Sequence, residues 1–359
     1  MTRSASASKP SSPKPLRAAV VGLGRIGFGF HAPSIAQHAG FQLVGVADPL
    51  AGRRAEASAK WRVPSFESLE RLLDAARPEL VVVASPSEFH AEHALAAYAR
   101  GAHVLCDKPV ARTVAEFDRM LGAAQAAGRR FLAYQPARFA PEVRALKALL
   151  GRGLLGPVHL IKRARCNYVR RHDWQALQAH GGGMLNNYGA HCLDELLALT
   201  DAEPIRTVYC EMRRVATAGD AEDVVKAVLV TERGCLFDLD ISQASALPGP
   251  AWQISGAHGG ALWDEAARCW RLRYFHPEEA PPPAMESGLA AAGRLYQSEE
   301  LPWREETFPA APYPEPDYYE AAWRHFVRGE APPVTPAESR LLLALIERCR
   351  ASAASGRVA

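Results

Sequence analysis

Lysine is scarce in this chain, with seven residues among 42 lysines and arginines. Paired cysteines are missing too. The seven cysteines (106, 166, 192, 210, 235, 269 and 349) are scattered, odd in number and without a CxxC pair. That spacing excludes a disulfide framework and a zinc-binding cysteine cluster, and it fits reduced thiols in a cytoplasmic protein. No apolar run approaches the roughly 18 residues of a membrane span. Neither sign of charge dominates, the formal balance being +3. Such a balance lacks the concentrated basic face that a nucleic-acid partner requires. The first fifteen residues, "MTRSASASKPSSPKP", have no hydrophobic core to act as a secretory signal and are read as a disordered tail. Internal repeats are absent.

What is present begins with alternation. From Leu16 to Gln135 the apolar stretches "LRAAVVG", "FQLVGVA", "ELVVVAS", "AHVLC" and "RRFLAY" alternate with helical patterns at Ile26–Ala39, Ala51–Lys60, Ser68–Ala76, Glu88–Ala99 and Thr113–Ala127. Continuous apolar strands separated by helices predict an α/β domain, a doubly wound parallel sheet covered on both faces. After Tyr134 the pattern changes. A helix over Pro141–Leu150 and another over Tyr188–Thr200 accompany strand candidates "VHLIKRARC", "IRTVYCEMRR", "VVKAVLVTE", "CLFDLDISQ" and "AWQISGA". Strands that follow one another without helices predict an α+β domain on an open, largely antiparallel sheet. Residues 277–316, rich in Pro and Glu, read as a long loop. Helices are predicted at Tyr318–Arg328 and Pro336–Ala354. The last opens on "TPAE", where Thr335 can cap, Pro336 fits the first helical position and Glu338 completes a capping box. The expected division is a tail (1–15), a doubly wound domain (16–136), an α+β domain (137–334) and a terminal helix (335–359).

"VVGLGRIG" closes the first strand and opens the first helix. Gly22, Gly24 and Gly27 satisfy GxGxxG, giving in turn a tight turn, close backbone approach to a pyrophosphate and close helix–strand packing. Leu23, Arg25 and Ile26 complete the phosphate-binding turn at a helix N-terminus. Asp48 ends the next strand at the spacing expected of a ribose-binding acid, and so favours NAD. Arg53 and Arg54 lie near enough in sequence to admit NADP. Ser85, Pro86 and His90 in "SPSEFH", and Asp107 and Lys108 in "CDKP", fall at strand ends on the ligand-binding edge of a parallel sheet. Pro109 biases Lys108 toward an extended backbone and so aims a pKa-tunable amine. In "GGGMLNNYGAHCLDEL" a glycine triplet precedes Asn187 and His191, four apart on one helical face. Asp194 and Glu195 follow, but no metal-binding pattern is present. Arg138, Arg170, Arg171, His172 and Trp174 are further candidates for substrate contact.

Taken together, these four ordered motifs resemble the Gfo/Idh/MocA oxidoreductase family over nearly the whole chain, from "RAAVVGLGRIG" to "SAASGRV". The resemblance implies a Rossmann domain and an α+β domain whose open sheet joins subunits into a homodimer or homotetramer. It places the last helix back near the Rossmann domain. It also implies NAD(P)-dependent interconversion of a secondary alcohol and a ketone on a sugar, sugar acid or cyclic polyol. Lys108 matches the family's motif lysine and His191 its catalytic histidine. Two departures stand out, Asp107 for the usual Glu and Asn187 for the frequent Asp. Alternatives are a reductase of a non-sugar ketone or imine and a non-catalytic dinucleotide-binding regulator, both hosted by this scaffold.

Overall fold

The computed structural model describes residues 14–282 and 300–359, so most of the expected tail lies outside the described residues. By contacts the chain divides into two units. The first comprises residues 1–134 and 317–339, and the second residues 135–316 and 340–359.

The first unit is a doubly wound parallel sheet. Its strands are β1 (Leu16–Val21), β2 (Phe41–Ala47), β3 (Ser65–Phe66), β4 (Leu80–Val83), β5 (His103–Asp107) and β6 (Phe131–Tyr134), in the order β3-β2-β1-β4-β5-β6. That order is the dinucleotide-binding arrangement. β4 is buried along its whole length, as a strand covered on both faces must be. The crossovers are α1 (Ala32–Gln37, preceded by a π-helical turn at Gly27–His31), α2 (Ala51–Trp61), α3 (Leu69–Ala76), α4 (His90–Ala99) and α5 (Val114–Ala126). Ser68 caps α3 and Thr113 caps α5, each accepting from the amide three residues on.

In the second unit, β7 (Val158–Cys166), β8 (Ile205–Arg213), β9 (Val224–Thr231), β10 (Leu236–Ser242), β11 (Trp252–Gly256), β12 (Gly259–Asp264), β13 (Cys269–Tyr274) and β14 (Arg304–Pro309) form one sheet, in the order β14-β13-β12-β11-β7-β10-β9-β8. All its pairings are antiparallel except β7 with β10. Strand β9 alternates strictly, with Val225, Ala227 and Leu229 buried and Val224, Lys226 and Val228 on the other face. The buried face packs with α6 (Pro141–Gly151) and α7 (Ala190–Leu199) in one apolar core.

Several expectations change. Strands form at Ser65–Phe66, Gly259–Asp264 and Cys269–Tyr274, where the sequence pattern announces none. The segment 277–316 is not one loop: Arg304–Pro309 pairs with β13 as an edge strand. "REETFP" carries too little apolar alternation to announce a strand, because an edge strand needs only one partner. Residues 283–299 of that segment lie outside the described residues. Residues 317–334, expected in the second domain, group with the first unit. There, α8 (Tyr318–Trp323) and a following π turn at Arg324–Arg328 supply Tyr318, whose hydroxyl donates to Ala133 O of β6. The last helix, α9 (Pro336–Ser355), has the capping box: Glu338 N donates to Thr335 Oγ1 at 3.2 Å and Thr335 N to Glu338 Oε2 at 2.8 Å. Farther along, its Leu342, Leu345, Ile346 and Cys349 join the core of the second unit, to which residues 340–359 belong.

Candidate active site

The glycine turn is built as its spacing requires. Gly22 has φ +91°, and a Cβ on it would lie 2.4 Å from Ser85 N. A Cβ on Gly27 would fall 1.8 Å from Gly22 O, so the helix can sit against the strand only through glycine. At Gly24 the added carbon would meet nothing within 4 Å, leaving room beside the helix N-terminus for a phosphate group. The first-turn amides of Arg25 and Ile26 lie at that terminus.

Asp48 has a different surrounding from the one its spacing suggests. Its side chain is 2% exposed. Oδ2 accepts from Leu23 N at 2.8 Å and from Arg53 Nη1 at 3.3 Å, while Oδ1 accepts from Leu50 N at 2.9 Å. The carboxylate fastens the glycine turn to the end of β2 in place of facing outward. Arg54 Nη1 donates to the carbonyls of Asp48 and Pro49 at 2.9 and 2.8 Å, so two guanidinium groups crowd this strand end.

β1, β4 and β5 are consecutive in the sheet, which brings the glycine turn, Ser85–Pro86 and Asp107–Lys108 to one edge. Ser85 Oγ lies 2.9 Å from His93 Nδ1. Burial holds the His93 pKa down at about 4, so this ring is neutral at neutral pH. His90, expected to line the nicotinamide side, is instead 1% exposed. Its Nδ1 is 2.8 Å from Pro109 O and its Nε2 2.8 Å from Ser85 O. Asp107 Oδ1 accepts from Lys108 N at 2.7 Å, and the Lys108–Pro109 peptide is cis. Lys108 is half-buried. The neighbouring Cys106 thiol is buried and its pKa pushed well up, so it is no competing nucleophile.

In the second unit the glycine triplet gives way to a π-helical turn, Leu185–Gly189, and then to α7. Gly183 has φ +100°, and a Cβ there would lie 2.3 Å from Glu222 Oε1. Glu222 accepts from Leu185 N at 3.1 Å through Oε1 and from Met184 N at 3.0 Å through its carbonyl, anchoring the turn. Burial raises the Glu222 pKa. Asn186 donates to Gly181 O at 2.8 Å and accepts from Arg350 Nη2 at 2.5 Å. Asn187 Nδ2 donates to Gln175 Oε1 at 3.4 Å, and the same oxygen accepts from Arg171 Nη1. His191, half-buried, sits in the first turn of α7. Gln175, Glu222 and Arg350 carried no motif signal; only the fold brings them to the glycine triplet.

The substrate candidates separate. Trp174 is 38% exposed on a 3-10 turn. Arg138 is buried, its Nε 2.9 Å from Asp194 Oδ2 and its Nη2 2.5 Å from Asp194 Oδ1. It is a structural partner of α7, not a substrate-facing cation. Arg163 does the same for Glu195 at 2.6 and 3.2 Å, with its guanidinium 4.3 Å from the Trp252 ring centre. Among the described residues no group of three or more His, Cys, Asp or Glu side chains could hold a metal ion.

Comparison with known proteins identifies the family of both units. Residues 16–135 match the model of an oxidoreductase family with an NAD-binding Rossmann fold, and residues 143–262 match the GFO/IDH/MocA C-terminal domain. The D-glucoside 3-dehydrogenase of Escherichia coli is 31% identical over 264 residues, 72% of each chain. The scyllo-inositol 2-dehydrogenase (NADP(+)) IolU of Bacillus subtilis is 30% identical over 241 residues, covering 65% of this chain and 71% of that one. An NAD-binding protein from Listeria innocua superposes with a TM-score of 0.84 at 24% identity, over 97% of this chain and 99% of that one. Glycine turn, strand-end lysine and helical histidine thus lie within matched segments at both ends of one pattern, and the chain belongs to the Gfo/Idh/MocA family of NAD-binding oxidoreductases.

Proposed function

We propose that this protein interconverts a secondary alcohol and the matching ketone on a sugar, sugar acid or cyclic polyol. The single observation that carries the reading is Lys108 at the end of β5, on the sheet edge that also holds the glycine turn. Bound in that turn, a nicotinamide cofactor supplies the hydride acceptor or donor. Gly24 leaves space for its phosphates, and the glycine turn is held by Asp48. Lys108 donates a hydrogen bond to the substrate oxygen and stabilises the negative charge that develops there. His191 takes the hydroxyl proton in oxidation and returns it in reduction, a general base and acid in turn. Asn187 accepts or donates a hydrogen bond but cannot take up a proton. Its amide is oriented by Gln175, whose oxygen Arg171 holds. The relatives' names, a glucoside dehydrogenase and an inositol dehydrogenase, favour a polyhydroxylated ring as substrate.

We also take the protein to be cytoplasmic, as its seven free cysteines suggest. The same reading pairs two copies or more through the face of the second sheet that carries Val224 and Val228, with the Lys226–Asp238 ion pair between neighbouring strands.

The test follows reduced-nicotinamide absorbance with NAD and NADP against inositols, aldoses and sugar acids, and against the matching ketones with reduced cofactor. Lys108→Met is run beside the parent. Turnover that falls about 10²–10³-fold in the variant, with cofactor affinity kept, supports the reading. Tight cofactor binding with no turnover on any class would favour the regulator that Asn187, in place of a carboxylate, leaves open.

A further inference from the structure

His90 opens α4 with both ring nitrogens set on backbone carbonyls, 2.8 Å from Pro109 O and 2.8 Å from Ser85 O. A carbonyl oxygen only accepts, and a neutral imidazole carries one N–H. A neutral ring would satisfy one carbonyl and turn a nitrogen lone pair toward the other. Both contacts are hydrogen bonds only if the ring is an imidazolium.

The groups around it decide whether that charge is held. Asp107, from the end of β5, is the anion acting on the ring, and Lys108 from the same segment opposes it. His31, from the helix after the glycine turn, and His93, one turn along α4, also lie within reach of its charge. Burial holds both of those rings at a pKa of about 4, so neither competes with His90 for the field of Asp107 near neutral pH. Burial also draws the His90 pKa below its ordinary value, while Asp107 and the two carbonyls raise it. Burial is the largest of these effects and the net shift is downward; the two short carbonyl contacts are what favours the charged ring against it.

We infer that His90 is a positioning residue which, as an imidazolium, bridges the carbonyls of Ser85 and Pro109 and thereby fixes the direction of Lys108. The bridge joins the ends of β4 and β5, and Lys108 lies between Asp107 N-terminally and the clamped Pro109 C-terminally. The catalytic consequence rests on the role proposed for Lys108; the protonation state does not.

The experiment uses the full chain, labelled with ¹⁵N-histidine and loaded with NAD, read by NMR at pH 7. His90 is assigned by difference from His90→Gln, or by through-bond correlation if that variant fails to fold. Two protonated ring nitrogens are expected; one N–H beside an unprotonated nitrogen overturns the inference without reference to any substrate. In turnover, His90→Gln has one side-chain nitrogen and cannot span both carbonyls. Its kcat is expected to fall about 10–100-fold, as for a displaced catalytic group, with NAD affinity kept within about threefold. The parent's kcat should also fall as pH rises through loss of the His90 proton, a limb missing from the variant. A folded His90→Gln with the parent's kcat and pH profile overturns the positioning role. If the parent turns over nothing, the proposed function fails while the NMR result still decides the clamp.

Discussion

Replacing Arg138 with methionine removes a buried guanidinium from Asp194 while keeping much of the side-chain volume. The two side chains are 6% and 1% exposed, and the contact is two-pronged at 2.9 and 2.5 Å. Losing one member of a buried pair typically costs about 3–5 kcal/mol, because the remaining charge keeps its desolvation penalty and loses its compensation. At about 2–4 °C per kcal/mol for a unit of this size, the second unit should melt roughly 6–20 °C lower. Asp194 without its guanidinium would favour the protonated form, so the loss should be smaller at pH 5 than at pH 8. The assay is calorimetry with chemical denaturation at both pH values. In Arg138→Met/Asp194→Leu both charges are gone, and the melting temperature should return most of the way. An Arg138→Met protein that melts within about 2 °C of the parent would refute the reasoning, since it would price the pair as a surface bridge. So would a double variant no better than the single one. A rise in KM at unchanged stability would return Arg138 to the substrate.

Asn187→Asp sets a carboxylate oxygen opposite Gln175 Oε1, which Arg171 holds as an acceptor. Two facing acceptors should cost about 1–3 kcal/mol in denaturant titration, and the apparent pKa of the base in the pH–rate profile should rise. An unchanged profile would mean that residue 187 does not touch His191. Arg53→Ala tests the strand end crowded by guanidinium groups: fluorescence titration should show affinity for NADP falling about tenfold with NAD little changed, the loss expected of one charge-assisted hydrogen bond to a 2′-phosphate. An equal loss for both cofactors would put that arginine elsewhere. His31 is buried, with its pKa held down at about 4 against an ordinary 6.5. The unfolded chain therefore binds its proton first, so stability present above about pH 6.5 is lost as pH falls toward 4, by about 3 kcal/mol in full. His31→Phe should flatten the fall in denaturation midpoint between pH 7 and 5; a variant with the parent's slope would exclude His31 as its source.

Five strands of the first sheet were legible because they are largely apolar and its glycines must sit where only glycine fits; the two-residue edge strand Ser65–Phe66 was not. The second sheet was legible at Val158–Cys166, Ile205–Arg213, Val224–Thr231, Leu236–Ser242 and Trp252–Gly256, but not at Gly259–Asp264 or Cys269–Tyr274, nor at Arg304–Pro309, where an edge strand rich in charged residues gives little apolar alternation. For site residues the limit is different. Position along the sheet edge can be read from sequence, because every motif that ends a parallel strand falls on the same side. Side-chain direction cannot. Asp48, His90 and Arg138 have the residue types and spacing of ligand contacts, yet each faces a partner 25, 19 or 56 residues away. Those partners are loop amides, a carbonyl and a helix carboxylate, which local pattern does not locate. The reason is general to tight strand-end turns: their backbone leaves the ladder, its N–H and C=O groups need partners, and a nearby polar side chain is the least costly source. Such a residue is as apt to stitch the turn as to meet a ligand. At the end of β5 both tasks are present: Asp107 takes the Lys108 amide and His90 the Pro109 carbonyl, so the backbone on either side of the lysine is held by neighbouring side chains.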